Sequence, residues 1–215
     1  MSGCYHSAYN TRQADRLLLG CGVWPLRSKV AGPCPLMDDQ PDIVDESLEM
    51  FKANIMFRNF KPEGPGDLVH IYLLLFIHQV SHSTANIRVN SLTCCFGSHC
   101  FSFAWPCSYV YASCPPLHQA LGKLEKAANK AEGQRILSSL GGEAPACPGD
   151  SNFPISVIYP PAENPADKKE FGKMLTQLRK EVCLRLPDLV FPDANAPGTK
   201  WWLGFGKRKF LNKPL

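Results

Sequence analysis

The sequence predicts a mainly α protein: a single compact helical domain with an extended N-terminal arm and an aromatic, basic C-terminal segment. Three observations lead there. Three separate stretches space their apolar residues at steps of three and four, the stripe of a helix packed on a core. No strand-rich region competes with them. Prolines and glycines gather in residues 1–41, where they break helices and favour turns.

Taken in order, residues 1–41 read as an irregular arm lying across neighbouring helices. Pro25, Pro33, Pro35 and Pro41 interrupt any helix, and Gly20, Gly22 and Gly32 favour turns. The first helix is placed at 42–60 (DIVDESLEMFKANIMFRNF). Asp42 caps it, Asp45 and Glu46 complement the positive end of its dipole, and Val44, Leu48, Phe51 and Ile55 line one face. Residues 61–66 (KPEGPG) form a turn. A central helix starts with 67–79 (DLVHIYLLLFIHQ) and, after an interruption, ends before Gly141 and Gly142. Residues 143–152 read as a loop and 153–159 as a short extended stretch. Asn164-Pro165 starts the next helix, with a capping side chain and a proline in the first turn. Phe171, Leu175, Leu178 and Val182 carry its stripe, and Pro187 stops it. A short segment, 188–191, and the Pro197-Gly198 joint lead into 200–213 (KWWLGFGKRKFLNK).

The interruption is residues 80–119, a block unlike its surroundings. It holds five of the ten cysteines (Cys94, Cys95, Cys100, Cys107, Cys114), and Arg88 is its one formally charged residue. With the block removed the flanks join as LFIHQALGKLEK, and Leu74, Ile77, Leu121 and Leu124 fall at steps of three, four and three. Gln79-Val80-Ser81 can be encoded CAG-GTA-AGT, an exon end and intron start in frame. Gln119 can be CAG after a run with pyrimidine-rich codons. The block therefore reads as a translated intron, with a genuine insertion as the competing view. It is expected as a disordered loop outside the fold, with 1–79 and 120–215 forming one helical domain. Its cysteines lack the CxxC pairs of structural zinc sites, so no metal is assigned. Residues 92–112 are uncharged, but Gly97, His99, Pro106 and several serines make them too polar for a membrane span.

At 215 residues the chain suits one domain with a sizeable core. The formal charge of +4 is mild and does not by itself imply nucleic acid. Outside the block, Cys4, Cys21, Cys34, Cys147 and Cys183 are odd in number and irregularly spaced. That argues for reduced thiols in the cytosol.

Catalytic patterns are missing. There is no phosphate loop with Lys-Ser/Thr, no pair of metal-binding histidines on a helix and no nucleophile elbow, and Gly204-Phe205-Gly206 lacks the third glycine and the preceding strand of a dinucleotide fingerprint. His6, His70 and His78 are separated by position and local context. Asp42, Asp45 and Glu46 are explained by helix capping. Hence no catalytic residue, cofactor or small-molecule substrate is assigned.

The C-terminal segment is the interaction candidate. Its residues are Lys200, Trp201, Trp202, Lys207, Arg208, Lys209 and Lys213. Aromatic residues with arginine are enriched at interfaces. Trp201 and Phe205, four apart, can pack the domain's own core. Two adjacent tryptophans cannot face the same side of a helix, so one is expected to meet a partner or the arm. The basic triplet is either a solvated run or a contact with an acidic surface. A different class of reading is a small nucleic-acid-binding module, with Trp201 and Trp202 as a stacking platform beside Lys207, Arg208 and Lys209.

Residues 42–60 and 200–213 together closely resemble subunit 3 of the actin-related protein 2/3 complex. Tyr5-His6-Ser7, the 25–33 stretch with Arg27-Ser28 and Gly32-Pro33, Phe153-Pro154, and the 177–181 helix with Arg185-Leu186 beyond it also match, in the family's order. The joined central helix matches as well; the block does not. Cys4, Cys21, Trp24 and Cys34 in the arm are unusual beside the family pattern. The resemblance implies a non-catalytic subunit of the assembly that starts branched actin filaments. It would be a rigid wedge docked mainly against one actin-related subunit, with nucleotide binding left to the two actin-related subunits. The implied partners are those subunits, the other subunits and the actin filament, with no nucleic acid and no membrane span. The implied location is cytoplasm and cytoskeleton, in actin-rich cell projections.

Overall fold

A computed structural model of the chain describes residues 5–27, 30–37, 39–55, 60–77, 120–150, 153 and 158–206, with the backbone of 209–210 and 213–214. The arm is more ordered than its prolines suggest. A 3-10 turn, Ala8–Asn10, is capped by the Ser7 side chain. Strands β1 (Arg16–Leu18) and β2 (Cys21–Val23) then pair antiparallel. Leu19 and Gly20 join them with φ of 47° and 80°, both left-handed, as a two-residue hairpin requires. Gly20 marks a turn as expected, whereas Gly22 lies within β2, and the short apolar runs on either side of Gly20 make the turn a hairpin. Further along, Leu26 forms an isolated parallel bridge with Leu36.

Helix α1 (Ile43–Asn54) starts with a reciprocal capping box, the Asp42 carboxylate on the Asp45 N–H and the Asp45 carboxylate on the Asp42 N–H. Val44, Leu48, Phe51 and Ile55 are all buried. The helix ends earlier than expected, at Asn54, and Phe60 is outside any helix. Helix α2 (Pro65–Ile77) is the central one, and almost everything from Gly66 on is buried. Such an all-round apolar helix belongs inside a domain.

Residues 80–119, with the expectations placed on them, lie outside the described residues. The chain resumes in α3 (Ala120–Leu124). Leu74 and Ile77 before the block and Leu121 and Leu124 after it are buried. The helix expected to continue to Gly141 breaks instead. Asn129 accepts a hydrogen bond from the Glu132 N–H, and the Glu132 carboxylate accepts one from Ala128 N–H. The Asn129 cap, with Glu132 reaching back to the residue before it, starts a separate helix, α4 (Lys130–Gly142). Nor does α4 stop before Gly141. That glycine lies inside it because a Cβ there would come 3.2 Å from the Lys180 Cα on the facing helix.

The facing helix is α5 (Pro165–Val190), begun by the Asn164 cap with Pro165 at its first position. Phe171, Leu175, Leu178 and Val182 are buried as expected. Pro187 does not stop it. The helix runs on to Val190, and the Phe191 N–H still reaches the Pro187 carbonyl at 2.8 Å. An interior proline costs about 3 kcal/mol. Burying Val190 and Phe191, at roughly 1.5–3 kcal/mol each, is enough to offset it. Thr199 N–H then donates to the Val190 carbonyl and leads into α6 (Lys200–Gly206). Two short strands, β3 (Lys209–Phe210) and β4 (Lys213–Pro214), pair antiparallel after it. The architecture is mainly α. No described helix is long and apolar enough to cross a membrane.

Candidate interaction surface

The paired tryptophans of α6 point different ways. Trp202 is 5 % exposed and stacks on Phe51 of α1 at 5.4 Å, while Phe205 meets the same ring edge-on at 5.6 Å. Phe51 is therefore held between two rings three residues apart, and these anchor α6 to the core. Trp201 is 54 % exposed and stacks on Phe205 at 5.8 Å. Lys52, in the last turn of α1, holds its ammonium 4.7 Å from the Trp202 ring centre and 5.6 Å from that of Trp201. The outer surface here is thus an indole face beside a lysine, with exposed Lys200 next to it. With Trp202 turned inward, the two-ring stacking platform of the nucleic-acid reading is not present. Lys209 and Lys213 lie on β3 and β4, where Lys209 registers with Pro214 and Lys213 with Phe210. Lys207 and Arg208 lie outside the described residues.

Three polar side chains fix the arm to the helices. Asp67, in the first turn of α2, accepts from Ser7 N–H (2.8 Å), Glu63 N–H (2.9 Å) and the His6 ring (2.7 Å). Burial pushes this carboxyl up, but those donors, with Asn10, hold it below the ordinary aspartate value. Gln177 of α5 accepts from Cys34 N–H at 2.8 Å and donates to the carbonyls of Val30 and Cys34. Arg185 of α5 grips both Asp42 oxygens at 2.7 Å and also reaches Asp45, Glu181 and the Arg27 carbonyl. Burial raises the Asp42 carboxyl too, and Arg185 together with the Arg27 and Asp45 N–H donors outweighs it, so the group stays ionised under α1.

His6 and His70, separate by sequence, share this region, with Phe60 lying between their rings and tilted 43° to each. His70 is fully buried, and burial depresses it to about 4. Sequence reasoning quoted Gln177 and Arg185 without a role and placed Asp67 without one. The available signal for Asp67 was an acid at the third position of a Pro-initiated helix.

A second concave surface lies between α4 and α5. It is a cleft of about 550 Å³ lined by Gln134, Arg135 and Ser138 of α4, Lys180 and Leu184 of α5, and Val30 of the arm, over a floor of Gly141 and Cys183. Among the described residues no group of three His, Cys, Asp or Glu side chains could hold a metal ion.

Comparison with known proteins gives one consistent result. The model of a family described as P21-Arc, the ARP2/3 complex ARPC3 (21 kDa) subunit, matches residues 2–95 and 116–215. A probable actin-related protein 2/3 complex subunit 3 of Caenorhabditis elegans is 33 % identical over 98 % of this chain and 94 % of its own length. The subunit 3 proteins of Dictyostelium discoideum and Schizosaccharomyces pombe are 34 % and 31 % identical, each over 98 % of this chain and nearly all of their own.

Proposed function

This chain belongs to the family of ARP2/3 complex ARPC3 (21 kDa) subunits, and from that premise we propose that it acts through shape and contact area, with no bond-making of its own. It is a structural subunit of the complex that nucleates branched actin filaments, and it partners other subunits of that complex in the actin cytoskeleton of the cytoplasm. Its finer placement, in actin-rich cell projections and against the actin filament, follows from the same reading.

The surface proposed to meet an actin-related subunit is the C-terminal segment, Lys200, Trp201, Lys207, Arg208, Lys209 and Lys213, with Trp202 as its anchor in the core. The observation that carries it is Trp201: a large ring, half exposed, on a helix that Trp202 and Phe205 hold rigidly. A rigid aromatic ring beside cations is the residue chemistry enriched where interfaces concentrate their energy.

The test pairs recovery with the actin-related subunits in a pull-down and thermal stability of the isolated chain. Trp201→Ala, or Lys207→Glu, Arg208→Glu and Lys209→Glu together, should reduce recovery while leaving stability nearly unchanged. Trp202→Ala should destabilise the domain itself by about 3–5 kcal/mol. Full recovery of the triple reversal at physiological salt would reduce the basic triplet to a solvated run.

We also propose that residues 80–119 stand outside the domain made by 1–79 and 120–215. The gap in the family match, 96–115, lies inside that block and supports the reading for its middle, while 80–95 and 116–119 fall within the match.

A further inference from the structure

The basic residues of α5 divide by face. Lys168 pairs with Asp150, and Arg185 with Asp42, Asp45 and Glu181. Lys169, Lys173 and Lys180 are exposed, at steps of four and seven along one stripe, and have no ion-pair partner among the described residues. Lys180 stands at the rim of the cleft between α4 and α5. Arg135 of α4, also exposed and without an ion-pair partner among the described residues, lines the same cleft. One turn beyond Lys180, Leu184 is 55 % exposed. Val30 contributes a second apolar wall, held there by the hydrogen bond from Gln177 to its carbonyl. The bottom is closed where Gly141 lets α4 approach α5.

We propose that this cleft docks an extended acidic segment of a partner protein. Carboxylates would meet Lys180 and Arg135, and an apolar side chain would cover Leu184 and Val30. Charge complementarity selects the occupant: two cations with no ion-pair partner among the described residues face a cleft within the size range that binding pockets occupy, about 300–1,000 Å³. The concave shape and the paired apolar wall favour a peptide over a membrane surface. This site is separate from the C-terminal segment, so its failure and that of the docking proposed there are distinguishable.

The probe is a fluorescent twelve-residue peptide of Asp and Glu with one central Leu, titrated into the full chain and followed by anisotropy. Saturable binding that weakens with added salt is expected. Arg135→Glu with Lys180→Glu should weaken it at least about tenfold. Arg135→Gln with Lys180→Gln should weaken it less, and a peptide with Ser in place of Leu should bind worse. Trp201→Ala should leave it unchanged. Circular dichroism establishes that each variant is folded. Undiminished binding in the double Glu variant, or no binding by the unaltered chain, overturns the proposal. So does phosphatidylserine vesicle binding that depends on Arg135 and Lys180 when the peptide does not bind.

Discussion

His70 sits between Asn54 and Ser47, and the groups around it dictate its protonation. The Asn54 side chain must use its oxygen for Tyr5 N–H, so its amide hydrogens point to the Tyr5 carbonyl and to His70 Nε2 (2.8 Å). Ser47 gives its hydroxyl hydrogen to the Ile43 carbonyl and accepts from His70 Nδ1, 3.1 Å away. This chain of bonds ties the arm, α1 and α2 together only while the imidazole is neutral. Burial is the main reason its value falls from 6.5 to about 4, with the Asp67 charge opposing the fall and His6 adding to it. The unfolded chain therefore binds more protons than the folded one between those values. Stability is fully present above pH 6.5 and is lost as pH falls toward 4, by on the order of 3 kcal/mol. Asp42 and Asp67, both depressed, add a further loss only below the ordinary aspartate value of 3.8. Thermal midpoints measured from pH 7.5 to pH 4 should fall through the upper window. His70→Gln should flatten that window even if it lowers the plateau. A flat profile in the unaltered chain would show that His70 is charged in the folded state.

At the scale of elements, the stripes were legible and the joints less so. Val44-Leu48-Phe51-Ile55 and Phe171-Leu175-Leu178-Val182 are buried because period alone assigns a helical face. The break before α4 was missed because Asn129 and Glu132 act as a cap only when the chain turns there, and composition alone favours a continuous helix. Pro187 and Gly141 carry local signals that tertiary packing overrides. Gly141 and its neighbour Gly142 make this measurable. A side chain at 141 presses on the backbone of Lys180 and on the Cys183 sulfur, while at 142 nothing lies within 4 Å. Gly141→Val should therefore destabilise the domain by about 1–3 kcal/mol. Gly142→Ala should stabilise it by up to about 1 kcal/mol, because helical glycine carries an entropic penalty. Opposite shifts in urea midpoint are the expected pair. Equal losses at both positions would refute the close crossing of α4 and α5.

For the whole molecule, the decisive feature is that buried stripe residues occur on both sides of 80–119. Leu74 and Ile77 precede the block, Leu121 and Leu124 follow it, and all four face the interior. Deleting 80–119 should give a chain with more helix per residue and a sharper, higher thermal transition. Circular dichroism and melts of both forms check this, and equal helicity with equal stability would remove the case for a split helix. The candidate surface was only partly legible at this scale. Trp201 and Trp202 announce themselves by residue type. Asp67, Gln177 and Arg185 do not, because each acts on backbone or charge far along the chain, and no local pattern encodes a partner at that distance.

That distance has a consequence for biosynthesis. Cys34 and its anchor Gln177 are separated by 143 residues, as are Asp42 and Arg185. The arm leaves the ribosome first, yet the side chains that fasten it are made last. At about 5–20 residues per second, the wait is roughly 7 to 30 seconds. Through that interval Cys34, buried in the finished protein, has no Gln177 to hold it. A nascent chain of this kind offers its N-terminus to chaperones and oxidants well before it can offer anything to its complex.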